Sequence, residues 1–204
     1  MIGRRIKNGE KFMEQALPDN NQQYGLLESQ LRENYGKITY SHKTQEKCAD
    51  ILSARNIRLR NTQIILSALI TTGLLVRIFK GAEWPLIVST VLSAIQFGLV
   101  SFLREYNLGE TIQKHATAAL ELWDIRERYL SLLTDLHSRT ITIQDAQVQR
   151  DEMQERLTKI YKGSPRTFNK AYNEARKALQ MNEELSFSES EIDKLLPKSL
   201  RRTN

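Results

Sequence analysis

Residues 84–103 read WPLIVSTVLSAIQFGLVSFL, twenty consecutive positions without a charge. As a helix rising about 1.5 Å per residue, the stretch reaches roughly 30 Å, the depth of a bilayer's hydrocarbon core. Just upstream, residues 61–76 (NTQIILSALITTGLLV) are also uncharged. Sixteen residues reach only about 24 Å, but Arg77 can snorkel to the interface, so that Ile78 and Phe79 extend the span. Neither stretch carries the polar face that a helix of a soluble bundle keeps. The reading is a pair of membrane spans, about 61–79 and 84–103.

The link between them is short and forces an antiparallel hairpin. Gly81 can take a dihedral closed to other residues, and Trp84-Pro85 opens the second helix with an interfacial aromatic and a first-turn proline. Lys47, Arg55, Arg58, Arg60, Arg104 and Lys114 lie near the terminal ends of the spans, against Arg77 and Lys80 in the link. That asymmetry places both termini in the cytoplasm. Arg4-Arg5 is not followed by an apolar run and does not read as an export signal.

The composition fits an all-α chain. Four prolines, nine glycines and 7% aromatics in 204 residues argue against a turn-rich β fold. Only Arg77, Lys80 and Glu83 are charged between residues 62 and 103, so nearly all 54 charged side chains lie in the flanks. Residues 37–79 read as one helix whose last half enters the membrane. Leu103–His137 reads as a continuation of the second span, with an apolar stripe through Ile112, Ala116, Ala119 and Trp123. The two extensions leave the membrane together and are expected to zip into an antiparallel bundle. The stripe has more apolar face than one arm covers, which points to a homo-oligomer. Thr142 and Asp145 resemble a capping box ahead of a charged helix to about Tyr161. Ser164-Pro165 is expected to start the next helix, with Phe168, Ala171, Tyr172, Ala175, Ala178 and Leu179 on one face. Ser188 and Glu191 cap a last short helix before Pro197, and the tail 198–202 is basic. Three regions result: N-terminal helices and linker (1–36, with a flexible joint at 18–23), the helical hairpin (37–161), and C-terminal helices with the tail (162–204).

Catalytic chemistry is absent from the pattern. His42, His115 and His137 are scattered, Cys48 is the lone cysteine, and no glycine-rich phosphate loop occurs. No metal, cofactor or enzymatic activity is expected. His42 and Glu46 read as a solvated i,i+4 pair, Glu46 and Asp50 as ion-pair partners of Lys47 and Arg55, and Cys48 as a small apolar packing residue. The spans are more informative. Ser89, Ser93, Gln96 and Val100 share one face, and an amide in hydrocarbon is costly without a partner or water. The stripe either lines a pore or holds helices together. Small residues at four-residue spacing (Thr90, Ala94 and Gly98; Ser67 with Thr71; Ala68 with Thr72) also allow close helix approach.

Arg58, Arg60 and Arg104 at the membrane exits suit anionic lipid headgroups. The net charge of +6 is not gathered into the aromatic-studded basic patch of a nucleic-acid surface. A nucleotide's phosphates would find Lys162, Arg166 and Lys170 near the expected Ser164 cap.

Two motifs complete the pattern. One is Tyr40-Ser41-His42-Lys43-Thr44-Gln45-Glu46-Lys47-Cys48-Ala49-Asp50 before the spans. The other, after them, is Tyr161-Lys162-Gly163-Ser164-Pro165 leading into Phe168-Asn169-Lys170-Ala171-Tyr172. In this order over residues 35–185 the chain resembles the SLATT family, two-transmembrane effector domains found with SMODS nucleotidyltransferases and SLOG domains. The resemblance implies an effector of a bacterial antiphage conflict system. Such an effector would form a pore or disrupt the inner membrane in abortive infection, once a nucleotide second messenger or a cytoplasmic sensor protein signals. It supplies no catalytic residues. The trigger is expected to come from outside this chain. The alternative is a non-catalytic adaptor anchoring a cytoplasmic partner at the membrane.

Overall fold

The computed structural model describes residues 20–197 and Arg201. These form six helices: α1 (Asn20–Lys80), α2 (Trp84–Tyr106), α3 (Leu108–His137), α4 (Ile143–Gly163), α5 (Asn169–Gln180) and α6 (Glu189–Leu195). No strand occurs among the described residues, and the fold is all-α as the composition requires. The expected charged helix before residue 18, and all of the basic tail except Arg201, lie outside the described residues.

Two compact units divide the chain. The first takes residues 20–39 of α1, residues 122–137 of α3, and α4 to Lys162. Its core is Leu27, Leu31 and Ile38 from α1, Leu122, Ile125, Tyr129, Leu132 and Leu136 from α3, and Ile143, Ala146 and Met153 from α4. Alternating steps of three and four residues keep each set on one helix face, so three helices share one apolar seam. The α3–α4 turn is pinned from α1: the Tyr24 hydroxyl donates to the Ile141 carbonyl at 3.3 Å. Arg139, left-handed at φ +58°, lays its guanidinium 4.0 Å from the centre of the same ring. Thr142 caps α4 as its spacing predicts, accepting from the Asp145 backbone N–H at 3.2 Å.

The second unit holds residues 40–80 of α1, α2, the start of α3, and the segment from Gly163 onward. Its long part is the hairpin. The most apolar 18-residue windows in its two arms are 0% and 6% buried. A soluble bundle buries such windows, and this chain leaves them uncovered. Ile64, Ile65, Leu69, Ile78, Ile87, Val91, Ile95 and Phe97 all face outward, the surface that two membrane-crossing helices present to lipid. Gly81 makes the turn at φ +69°, and its N–H returns to the Arg77 carbonyl at 3.0 Å. Pro85 sits in the first turn of α2 as expected.

Three expectations need correction. α1 does not begin near residue 37: it runs unbroken from Asn20, so residues 20–23 of the expected flexible joint are helical. Polar residues there disfavour a helix only weakly, and packing of Tyr24, Leu27 and Leu31 overrides that preference. The second apolar stretch does not continue smoothly into the arm expected to follow it. Asn107 is left-handed (φ 30°, ψ 55°) and separates α2 from α3, a conformation asparagine tolerates better than most residues. Finally, Ser164-Pro165 does not start a helix; α5 begins at Asn169 with extended Phe168 at its cap. The Ser188 capping box is present, with both reciprocal bonds to Glu191.

Candidate functional site

The hairpin holds its polar residues in a seam between its own two helices. Ser89 is buried at 3% exposure, and its hydroxyl points to the Ile70 carbonyl at 3.4 Å. It fits because Gly73 lies opposite: a Cβ there would come within 2.2 Å of Ser89 Oγ. Two turns further along α2, Gln96 Nε2 donates to Ser67 Oγ at 2.7 Å. Ser93 and Thr71 satisfy themselves locally, each donating to a carbonyl four residues back (Ser89 and Ser67) at 2.8 and 3.0 Å. One group is left over: Gln96 Oε1 is buried and has no hydrogen-bond partner. It lies beside a cleft of about 390 Å³ lined by Ser67, Ile70, Thr71, Ser93, Gln96 and Phe97.

The other small residues of the spans are placed differently. Ala68, Thr72, Thr90, Ala94 and Gly98 are exposed, and Val100 is exposed at the end of the stripe. A Cβ on Gly98 would meet nothing within 4 Å. The pattern of small residues did not single out Gly73, the closest-approach position. It is the lone glycine of the first span, a signal the search for four-residue spacings passes over.

The two sequence motifs meet within the second unit. Gln45 donates from Nε2 to the Pro165 carbonyl at 3.3 Å and accepts from His115 Nδ1 at 2.5 Å. His42 Nδ1 donates to the Ala119 carbonyl at 3.0 Å. Buried Lys43 sits between Glu46 (2.9 Å) and Glu184 (2.8 Å). The Tyr40 and Tyr172 rings lie tilted by 32° with their centres 6.3 Å apart, and Gln180 Nε2 donates to Tyr40 Oη at 2.7 Å. Ala171, Ala175 and Ala178 present α5's small face to this contact and are buried. The expected solvated pair is thus half wrong: Glu46 Oε1 is 3.7 Å from His42 Nε2, but the imidazole itself is buried. Glu46 pairs with Lys43 rather than Lys47, whose partner is Glu184 at 3.4 Å. Cys48 is buried as expected.

Burial sets the protonation of this cluster. It pushes the His115 imidazole below its ordinary range, and nothing anionic bonds the ring, since Gln45 is neutral. It also pushes the Cys48 thiol up, against the opposing pull of the Phe168 backbone. For Lys43 burial works against the charge, but Glu184 and Glu46 together outweigh it and hold the ammonium above its usual value. Glu184 is held low in turn, chiefly by its hydrogen bond from Lys43.

Lys162 lies in the last turn of α4, Arg166 in the connecting segment and Lys170 in the first turn of α5, all exposed. The helix N-terminus expected beside them is four residues further on. On α3, Ile112 is half-buried and Ala119 is buried, whereas Ala116 and Trp123 are exposed. The four share one helix face, which lies at the edge of the buried face and is only partly covered by this chain. The buried face is His115, Ala118 and Ala119 in the second unit, and Leu122, Ile125 and Tyr129 in the first. Arg58, Arg60 and Arg104 are exposed near the ends of the spans.

An all-α chain with two exposed helices long and apolar enough to cross a bilayer, a polar seam between them and a packed helical core has the features of a membrane-associated protein. The profile of SMODS and SLOG-associating 2TM effector domain family 4 matches residues 27–191, and the chain belongs to that family. No curated protein and no solved structure matches it.

Proposed function

We propose that this chain is the membrane-permeabilising effector of a bacterial antiphage conflict system. It sits in the inner membrane as a two-span hairpin with both termini cytoplasmic, and self-associates into a pore that is mostly closed until triggered, so that only overproduction opens enough copies without the trigger. The observation that carries this reading is the seam at mid-hairpin. A buried amide oxygen without a partner, beside a cleft lined by hydroxyls, is poorly suited to lipid. A water file or a second copy would satisfy it. The exposed small residues Thr90, Ala94 and Gly98 leave room for that second copy on α2. The trigger acts on the cytoplasmic helices and is a nucleotide second messenger or a sensor protein. The family supports a role in conflict defence; death of the infected cell follows from permeabilisation. Overproduction of the chain should dissipate the membrane potential, and Gln96→Leu should prevent that without loss of protein from the membrane. Depolarisation that persists in Gln96→Leu would contradict the assignment of the seam.

One observation favours the adaptor reading instead. The cluster of His42, Lys43, Gln45 and His115 joins three helical segments and would serve equally to present a rigid cytoplasmic surface. An adaptor would leave the membrane potential intact at any expression level.

A further inference from the structure

The hairpin's terminal end carries a second cleft, of about 410 Å³. It lies where α2 breaks at Asn107 and α3 begins. Arg60 and Arg104 line it together with the amides Asn56 and Asn107 and the apolar Ile64 and Leu103. In sequence, Arg60 is the last charge before the first uncharged stretch and Arg104 the first charge after the second. The cleft therefore marks the border between hydrocarbon and headgroup if the hairpin spans a bilayer. Neither arginine has an ion-pair partner among the described residues. Arg77, at the opposite end, is satisfied by the chain itself: it donates to the Gly81 carbonyl and lies 3.9 Å from Glu83.

We propose that this cleft is a binding site for the phosphate of an anionic phospholipid, gripped by Arg60 and Arg104. Guanidinium donors match phosphate oxygens in number and direction. The apolar side chains suit the glycerol end and first methylenes of a lipid, where a free phosphate or a nucleotide would want polar groups all round. The site ties the membrane hairpin to the start of α3, so an occupied cleft braces the break at Asn107. The proposal rests on the membrane-spanning reading and goes beyond it in one respect. Arg58 is also basic, exposed and near the membrane exit, yet it does not line the cleft. General attraction to an anionic surface would use Arg58 as much as its neighbours; a built site would not.

The full-length chain, reconstituted in phosphatidylglycerol–phosphatidylcholine nanodiscs and released for native mass spectrometry, decides between these. Wild type and Arg58→Gln are expected to retain phosphatidylglycerol equally. Arg60→Gln and Arg104→Gln should each retain it about tenfold less, with helicity by circular dichroism unchanged. Equal losses in all three variants would overturn the site in favour of diffuse attraction. Retention without preference for the anionic lipid would overturn it outright. Displacement of the lipid by millimolar inorganic phosphate would reassign the cleft to a soluble anion. Carbonate extraction of the same variants keeps the two claims apart. Inserted protein that retains no anionic lipid refutes the site alone, and protein recovered in the soluble fraction refutes the hairpin reading and the site with it.

Discussion

Gly73→Ala probes the seam at its tightest point. The added methyl would lie 2.2 Å from Ser89 Oγ and 3.4 Å from the Pro85 carbonyl oxygen. Ordinary contact begins near 3.4 Å, so relief through Ser89 alone needs a shift of 3.4 − 2.2, about 1.2 Å. Ser89 is 3% exposed and cannot swing freely into lipid. It must either change rotamer and leave the Ile70 carbonyl, or force the helices apart. Overpacking of this kind costs about 1–3 kcal/mol, against a helix-propensity gain near 1 kcal/mol for replacing glycine. The expected net destabilisation is about 1 kcal/mol, and the informative quantity is the coupling. Ser89→Ala removes the clashing oxygen and leaves Ser89 Cβ at 3.6 Å, an ordinary contact. Gly73→Ala should therefore be tolerated in that background, giving an interaction energy of about 1–2 kcal/mol in a double-mutant cycle. Unfolding in mixed detergent micelles, followed by circular dichroism, supplies the four stabilities. Gly98→Ala is the control, since nothing stands near that position. Additivity of Gly73→Ala and Ser89→Ala within about 0.3 kcal/mol would refute the packing described for the hairpin.

Ser67→Ala should cost the hairpin about 0.6–2 kcal/mol by removing the acceptor of the Gln96 amide. Gln96→Leu should reduce ion flux by making the cleft apolar, with oligomer size unchanged on a sizing column. Trp123→Glu, at an exposed position of α3, should dissociate the oligomer in detergent while carbonate extraction still finds the protein inserted. Stability should fall with acid through His115. Its pKa is lowered on folding, so its contribution is complete above the unfolded value near 6.5 and is lost as pH falls toward the folded one. A thermal-melt series in that window should show a slope that His115→Gln flattens. Glu184, also held low, contributes in the same sense only at more acid pH, and Lys43, held high, loses its contribution only in alkali.

The hairpin was legible because its determinants are local. An uncharged run, a glycine just after Lys80 and a first-turn proline each act within a few positions, and Gly81 turns the chain where that reading puts it. The Thr142 and Ser188 caps were legible for the same reason. What the sequence could not show depends on partners far along the chain. Ser164-Pro165 is a good local helix start, yet the segment stays out of helix where Gln45 reaches the Pro165 carbonyl. Arg104-Glu105-Tyr106 would carry a helix onward, and no local rule places a left-handed residue at Asn107. His42 reads as one of a solvated pair because its cover comes from α3, far along the chain; the hint was the alanine stripe on α5, which needs something small or polar to pack against. In the seam, the candidate stripe held three residues that do face α1 or its cleft, Ser89, Ser93 and Gln96. Their counterparts on α1, Ser67 and Gly73, are fixed by the register of the two helices, which periodicity in one span does not set.

Ion flux from proteoliposomes containing the purified chain tests the central claim most directly, provided insertion and oligomer size are read in the same vesicles. Because the pore is assembled from copies and mostly closed at rest, leak should be low at sparse loading. It should then rise more steeply than the first power of the protein-to-lipid ratio, and Gln96→Leu should suppress it. Vesicles that remain tight at every ratio, while cross-linking finds the protein inserted and oligomeric within them, would contradict the account.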